Sequence, residues 1–463
     1  MLRHPRERIS RREFMRRSAL AAAGVPAASA ILAACSKPGG PTTGDIASIQ
    51  IARPDNPVTL PINPSNQPID DGLQPEKNAT LKIYNWDNYI WKHVVGEFCA
   101  KYGATPEYTT FNNMESAIGK IATGQLDFDI FVPTVNYLGR LVATEYIQPL
   151  NHSYIPNLKK NIWPQLSASD KPFYDVGSQY SVPYVVYTTG IGYRRDVISD
   201  DMIRGMSNPY DIFWDSQYSG KVGVYDDYRE ALAMPMSRHA YPDLTSGKMK
   251  TLDLNTGDQS QIDQAKTDLI SLIDAVNVRY SINGAYRFLP QGQYSLHQSW
   301  SGDLCAAWAY VNSYTEKSFE TIGYWYPEDR KGPIGNDTMV IPKNAPHPVL
   351  AHLFLNYMLD FKNAMNNFSW VGYQPPQNDA DPDTLTKTEG LYSKLSGWAP
   401  PVNLVPPWMS EAVVRKEDFD TGFQELELSP EVDAIWLDAW QQFQAGAGSA
   451  SNVKPSASAS PAA

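Results

Sequence analysis

Acidic and aromatic side chains recur together in short stretches of this chain. Trp86, Asp87 and Tyr89 fall within residues 85–89, Thr134 and Tyr137 within 133–137, Asp227 and Glu230 within 226–230, and Trp300 within 299–303. Asp337 stands apart, beside Gly335 and Asn336 and ahead of an apolar run. Carboxylates hold ammonium groups through charge-assisted hydrogen bonds. Trp and Tyr faces attract cations by about 0.5–2 kcal/mol each, and also cover methylenes between two charged ends. Acids beside indole walls therefore suit a diamine or a polyamine. Each residue has a plainer reading too. Asp227-x-x-Glu230 has the form of a helix capping pair, and Asp87 of a single cap. A lone Trp300 also reads as core, and Asp337 next to Gly335 as turn chemistry.

Signals for catalysis are sparse. The chain has no Cys-x-x-Cys, no His-Glu-x-x-His, no Gly-x-Ser-x-Gly and no complete Gly-x-Gly-x-x-Gly. Its seven histidines are scattered, and His347 and His352 are five residues apart, off the helical i, i+4 face used by metal pairs. No catalytic residue, cofactor or metal set is expected, and the chain reads as a non-enzyme. Paired acids also serve glycoside chemistry, so an exported enzyme acting on a small molecule stays open as the alternative.

The loops need elements to hold them. Residues 81–84 read as a strand; Trp91, Val94, Val95, Phe98, Cys99 and Tyr102 then follow helical spacing, with Gly103 as C-cap. A second helix is expected over 114–123, stopped by Gly124, followed by a strand over 128–132. Further strands are expected at 221–225, 294–298 and 338–341, and further helices at 262–276 and 349–359. This alternation predicts an α/β fold of parallel sheets covered on both faces, with ligands beyond the carboxyl ends of strands. A body from about 79 to 446 is too long for one core, so two lobes are expected.

The ends read differently. Residues 1–34 run from a basic segment with Ser10-Arg11-Arg12-Glu13-Phe14 into a short small-residue apolar stretch, the form of a cleaved export signal. The twin arginines resemble the Tat consensus, and Leu32-Ala33-Ala34-Cys35 resembles a bacterial lipobox, with Cys35 lipidated and tied to the membrane. Residues 35–78, with eight prolines, read as a tether, part of it near 58–62 lying along the body. From 447 to 463 the chain is Ala-, Ser-, Gly- and Pro-rich and reads as a disordered tail. Without the seven arginines and two glutamates of residues 1–34, the formal charge falls from −11 to −16. Such a surface argues against nucleic acid. Cys99 and Cys305 are expected as buried thiols.

Ordered segments carry a resemblance. Leu81-Lys82-Ile83-Tyr84-Asn85-Trp86-Asp87-Asn88-Tyr89-Ile90, Asp129-Ile130-Phe131-Val132-Pro133, Ser181-Val182-Pro183-Tyr184, Asp226-Asp227-Tyr228-Arg229-Glu230 and Val371-Gly372-Tyr373-Gln374-Pro375 occur in that order. Together they resemble the periplasmic spermidine/putrescine-binding proteins. The resemblance implies an α/β, two-lobed periplasmic-binding-protein-like fold with a ligand cleft between lobes and two chain crossings, near Tyr187 and near Asn336. It divides the body into lobe 1 (79–187 and 337–380) and lobe 2 (188–336 and 381–446). It implies an extracytoplasmic, lipid-anchored, monomeric receptor that hands a polyamine to an ABC permease and ATPase. Trp86 and Tyr89 would wall one side, Thr134 would offer a hydroxyl, Asp227 and Glu230 would take ammonium groups, and Trp300 would lie under the methylenes. Asp337 would be the central carboxylate, Tyr373 a further aromatic and Gln424 a polar contact. Three positions depart from the family pattern. Its first-loop acid falls on Asn88, with Asp87 one place earlier; its aromatic wall two residues before the central acid is Gly335; and its tyrosine after Thr134 is Asn136, beside Tyr137. The cationic class survives these changes, whereas the length of the ligand stays open, as do a sugar or ferric ion on the same fold.

Overall fold

A computed structural model describes residues 49–123, 127–168, 170–311, 320–380, 382–386 and 405–449. The export signal, Cys35 and residues 450–463 lie outside the described residues, as does Gly124. Among the described residues eleven strands join in one sheet, nine of them in the order β11-β6-β5-β7-β4-β9-β3-β1-β2, with β8 paired to β4 and β10 to β9 off that path. They are β1 (Thr80–Trp86), β2 (Thr105–Phe111), β3 (Ile130–Phe131), β4 (Ser181–Arg194), β5 (Val222–Val224), β6 (Arg279–Tyr280), β7 (Leu296–Trp300), β8 (Ile322–Trp325), β9 (Pro333–Val340), β10 (Phe423–Gln424) and β11 (Gly448–Ser449).

The 14-residue β4 organises this path. Its first half, Ser181 to Thr188, pairs antiparallel with β9. Its second half pairs with β7 and β8. Val182, Val185 and Val186 enter one hydrophobic core with Leu81, Ile83 and Phe131, whereas Ile191 and Tyr193 enter another with Val222, Leu269 and Trp436. The two expected crossings are neighbours: Tyr187 faces Gly335, and Val186 faces Asn336. The sheets are mixed rather than parallel. β1 pairs parallel with β2 and β3, and β5 parallel with β6 and β7, but every contact of β4 is antiparallel. Strands that return directly between two cores cannot all run one way. Asp337 lies inside β9, not ahead of the strand.

Helices follow the apolar periodicity where prolines do not disguise it. Lys92–Tyr102 buries Val94, Val95, Phe98 and Cys99, and Gly103 closes it at φ 66°, a conformation that favours glycine. Gln259–Val276 and Pro348–Met358 match expectation within a few residues. Tyr228–Thr245 contains Pro235 and Pro242 and was not foreseen. Cys99 and Cys305 are buried free thiols.

The segment from 49 to 78 lies on the body over a longer stretch than 58–62. Val58 and Leu60 are core residues, and Tyr180 Oη donates to the Pro61 carbonyl at 2.7 Å. Asn66 Nδ2 donates to the Ile147 carbonyl at 2.8 Å. The Glu76 carboxylate accepts from the backbone N–H groups of Val349 and Leu350, at 3.1 and 2.8 Å, at the positive end of a helix. At the other terminus the expected tail begins later than 447, because Gly448–Ser449 pair with Arg279–Tyr280. Burying an aliphatic side chain contributes about 1.5–3 kcal/mol. A chain starting at residue 79 should therefore unfold with at least about 3 kcal/mol less stability than one starting at 49, as measured by urea titration. Equal midpoints would mean that Val58 and Leu60 add nothing.

Candidate ligand-binding site

β7 delivers Trp300 to the carboxyl edge of its sheet, and the indole stacks on Tyr225 at 3.9 Å and 19°. A chain of hydrogen bonds fixes that stack. The Trp300 backbone N–H donates to Tyr225 Oη at 2.7 Å. Tyr225 Oη donates to Asp303 Oδ2, and Tyr373 Oη to Asp303 Oδ1, each at 2.7 Å. Both oxygens of Asp303 are thereby occupied. Burial pushes its carboxyl up to about 7, against the two tyrosine bonds. Asp303 was not singled out as a site residue, although it sits in the loop read for one.

Asp227 caps the helix Tyr228–Thr245, accepting from the N–H groups of Arg229 and Glu230 at 2.9 and 3.1 Å. Glu230 does not reach back, as a reciprocal capping box would require. Its Oε1 accepts from Trp300 Nε1 at 2.5 Å and Thr189 Oγ1 at 3.1 Å. Its side chain thus points at the indole wall, and only 5% of the residue is exposed. Asp337 is 4% exposed. Its Oδ2 accepts from Tyr89 Oη at 2.6 Å, and its Oδ1 has no hydrogen-bond partner. Tyr89 meets Tyr373 edge-to-face at 4.7 Å.

Tyr187 occupies the space left by Gly335. A Cβ at position 335 would stand 2.5 Å from Tyr187 Cζ, so the ring needs glycine opposite it. The ring lies 5.9 Å from Trp300 and 6.1 Å from Tyr373. An aromatic wall therefore exists here, supplied from β4 instead of β9. Its hydroxyl is held far up by burial and then by the negative charges of Asp337, Glu230, Glu425 and Asp227. The charges of four carboxyls thus bear on one hydroxyl, and Glu425 is not among the residues the sequence pointed to. Glu425 follows β10 directly, and its Oε1 is shut from solvent without a partner.

Burial dominates the electrostatics. It raises the Asp337 carboxyl to about 7, partly offset by the Tyr89 hydrogen bond. It lifts Glu230 well above the usual range, with Glu425 pushing further, and raises Asp227 and Glu425. Arg229 opposes the last two shifts, but its guanidinium donates to the carbonyls of Leu426 and Leu254 and to Asn255 Oδ1. Burying unpaired carboxylates costs several kcal/mol each, so such an arrangement gains by taking up protons or a cation.

The other expected residues lie around this group. Thr134 bridges to Asp337 through the backbone, and its hydroxyl bonds to Asn136 Oδ1. Gln424 Nε2 donates to Asn336 Oδ1 at 3.4 Å. Trp86 packs on Phe111 at 4.7 Å, with its Nε1 buried and unpartnered. Asp87 is exposed beside the Asn88 amide at 3.2 Å. Tyr137 Oη donates to Glu115 at 2.5 Å. Tyr89, Asp227, Glu230, Trp300, Asp337 and Tyr373 are drawn together; Tyr137 feels the charge of Asp227, and among the described residues no hydrogen bond or ring contact joins Trp86 or Asp87 to the group.

Known proteins resemble this chain in sequence and fold. The spermidine/putrescine-binding periplasmic protein of Escherichia coli (strain K12) is 26% identical over 302 residues, covering 65% of this chain and 78% of that protein. The putrescine-binding periplasmic protein PotF of the same organism is 26% identical over 389 residues, covering 81% and 94%. Among solved structures, a putative spermidine/putrescine ABC transporter from Listeria monocytogenes superposes with TM-score 0.62 at 22% identity, covering 79% of this chain and 98% of that one. PotD from Streptococcus pneumoniae superposes with TM-score 0.58 at 21% identity, covering 80% and 99%. The fold is the two-lobed type of the periplasmic binding proteins. The bacterial extracellular solute-binding protein family matches residues 94–391, and the chain belongs to that family.

Proposed function

We propose that this protein is the solute-binding component of an ABC importer and that it binds a polyamine. Lobe 1 (79–187 and 337–380) and lobe 2 (188–336 and 381–446) close on the guest, and the loaded monomer docks on a permease with its ATPase. The observation that carries the reading is Asp337: a buried carboxylate with one oxygen unpartnered, whose charge acts with those of Glu230 and Asp227 on the Tyr187 ring, itself 5.9 Å from Trp300. Ammonium groups would sit on the acids and methylenes against the rings. Trp86, Asp87, Tyr89, Thr134, Tyr137, Tyr373 and Gln424 complete the proposed lining. Export follows the Tat route, and Cys35 carries the lipid anchor.

Titration calorimetry with putrescine, spermidine, maltose and ferric ion separates the ligand classes; binding of maltose or iron alone would end the polyamine reading. A hydrogen bond to a charged group contributes roughly 1.5–3 kcal/mol, so Asp337→Asn should weaken polyamine binding about tenfold to a hundredfold. Trp300→Ala should lower affinity about tenfold by removing a cation–π face. Unchanged affinity in Asp337→Asn would move the site elsewhere.

Proton linkage gives an independent check. The Asp337 carboxyl stands near 7 in the empty protein against 3.8 for an ordinary aspartate. A bound cation favours the carboxylate, so binding near pH 7 should release up to about one proton and tighten from pH 6 to 8. For the empty protein the sign reverses. A raised folded-state value stabilises fully below the unfolded value and is lost as pH rises through about 7. The empty protein should therefore melt at lower temperature at pH 8 than at pH 6, with a smaller difference in Asp337→Asn. Buffer-independent binding heats would contradict this. For the anchor, mass spectrometry of the mature chain should find lipid on Cys35, and Cys35→Ser should leave the membrane fraction; an unmodified Cys35 would exclude it.

A further inference from the structure

Beyond the residues matched to the family pattern, Glu425 directly follows the β10–β9 pairing and keeps a carboxylate oxygen buried without a donor. Glu425 is anchored through its neighbours on both sides. Asn255 Nδ2 donates to the Gln424 carbonyl at 2.9 Å, and the Leu426 N–H donates to Asn255 Oδ1 at 2.6 Å. Arg229 Nη1 donates to the Leu426 carbonyl at 3.0 Å. Gln424 also pairs with Ile334 of β9, two residues after which comes Asn336, the partner of its amide. The backbone at 425 is thus fixed against the strand that carries Asp337.

The plain alternative is a structural ion pair with Arg229. The geometry opposes it. The guanidinium lies over Trp436 at 4.9 Å and gives its hydrogen bonds to two carbonyls and an amide oxygen. Among the described residues no ion pair within 4.0 Å joins Arg229 to Glu425, and Glu425 Oε1 remains buried without a donor. Asp337 Oδ1, on β9, is in the same condition. Two unpartnered carboxylate oxygens, from separate segments, therefore act on one tyrosine ring together with Glu230 and Asp227. Arg229 opposes the shifts of Asp227 and Glu425, but its guanidinium gives its hydrogen bonds to neither.

We propose that Glu425 is a further ligand-binding carboxylate, which takes a third ammonium group and so sets a preference for a triamine over a diamine. This rests on the polyamine reading of the same cleft. Binding involves no covalent step: the ligand's N–H groups donate to Glu425 Oε1, which is freed of its repulsion with Glu230 when a cation lies between them.

The test is calorimetry at pH 8 on the full mature chain with spermidine and putrescine, using wild type and Glu425→Gln. Wild type should prefer spermidine. Glu425→Gln should lose about tenfold in spermidine affinity and less than about threefold for putrescine, since one charge-assisted hydrogen bond goes. Equal losses for both amines, or none, would overturn the role of Glu425 while leaving the polyamine reading intact. If wild type bound neither amine, the polyamine reading itself would fall and this inference with it. Thermal unfolding of the empty proteins guards against a folding artefact. Relief of repulsion should leave Glu425→Gln melting at or above the wild-type temperature at pH 8, whereas a lower melting temperature would identify the structural pair with Arg229.

Discussion

A carboxylate buried on the strand paired to the one that ties two cores together is the constraint around which this protein is arranged. Asp337 lies in β9, paired to β4, and β4 is the strand whose halves enter different cores. Water is largely excluded there, so the charge must be answered by a hydroxyl, a proton or a guest. Tyr89 answers one oxygen. The remainder of the site is a response to the other. The charges of Glu230 and Asp227, from the second core's helix, and of Glu425, after β10, bear with that of Asp337 on the Tyr187 hydroxyl. Because the acids come from segments held by different cores, any cation bridging them also sets how those cores sit.

The aromatic wall shows how position and function separate. The family pattern places a ring two residues before the central acid, and this chain has Gly335 there. In a paired antiparallel ladder the residue opposite can fill the same volume, and Tyr187 does so, in contact distance of where a Cβ would stand. Reading along the chain sees a loss; reading across the sheet sees an exchange. Asp303 illustrates the complementary case. Each of its oxygens already accepts from a tyrosine, and through Tyr225 it determines where the Trp300 backbone stands.

Much of this was legible where local rules act alone. The spacing of Val94, Val95, Phe98 and Cys99 and the glycine after them specify a helix and its end. Asp227 behaves as the cap its context suggests, and Glu230, three residues on, departs from the capping box because Trp300 and Thr189 offer it better partners. That choice is tertiary, and no window of sequence contains it. The helix Tyr228–Thr245 escaped notice because Pro235 and Pro242 imitate a break. β4 escaped because a long apolar run has no alternation when both its faces are covered. Glu425 escaped because in Gln-Glu-Leu-Glu-Leu it looks like the solvent side of a strand.

The docked amino-terminal segment has a geometric corollary. With residues from 49 onward laid along the body, and Arg53 hydrogen-bonded to the Glu427 carbonyl at 3.1 Å, the stretch between position 35 and the first docked residue is short. Thirteen residues, 36 to 48, span at most about 45 Å when fully extended. With the lipid proposed on Cys35, a body leashed that closely to a bilayer would sample a shallow shell, where its effective concentration at a neighbouring transporter would be governed by leash length instead of by bulk diffusion. Lengthening or shortening those residues would tune the rate of encounter without touching the cleft.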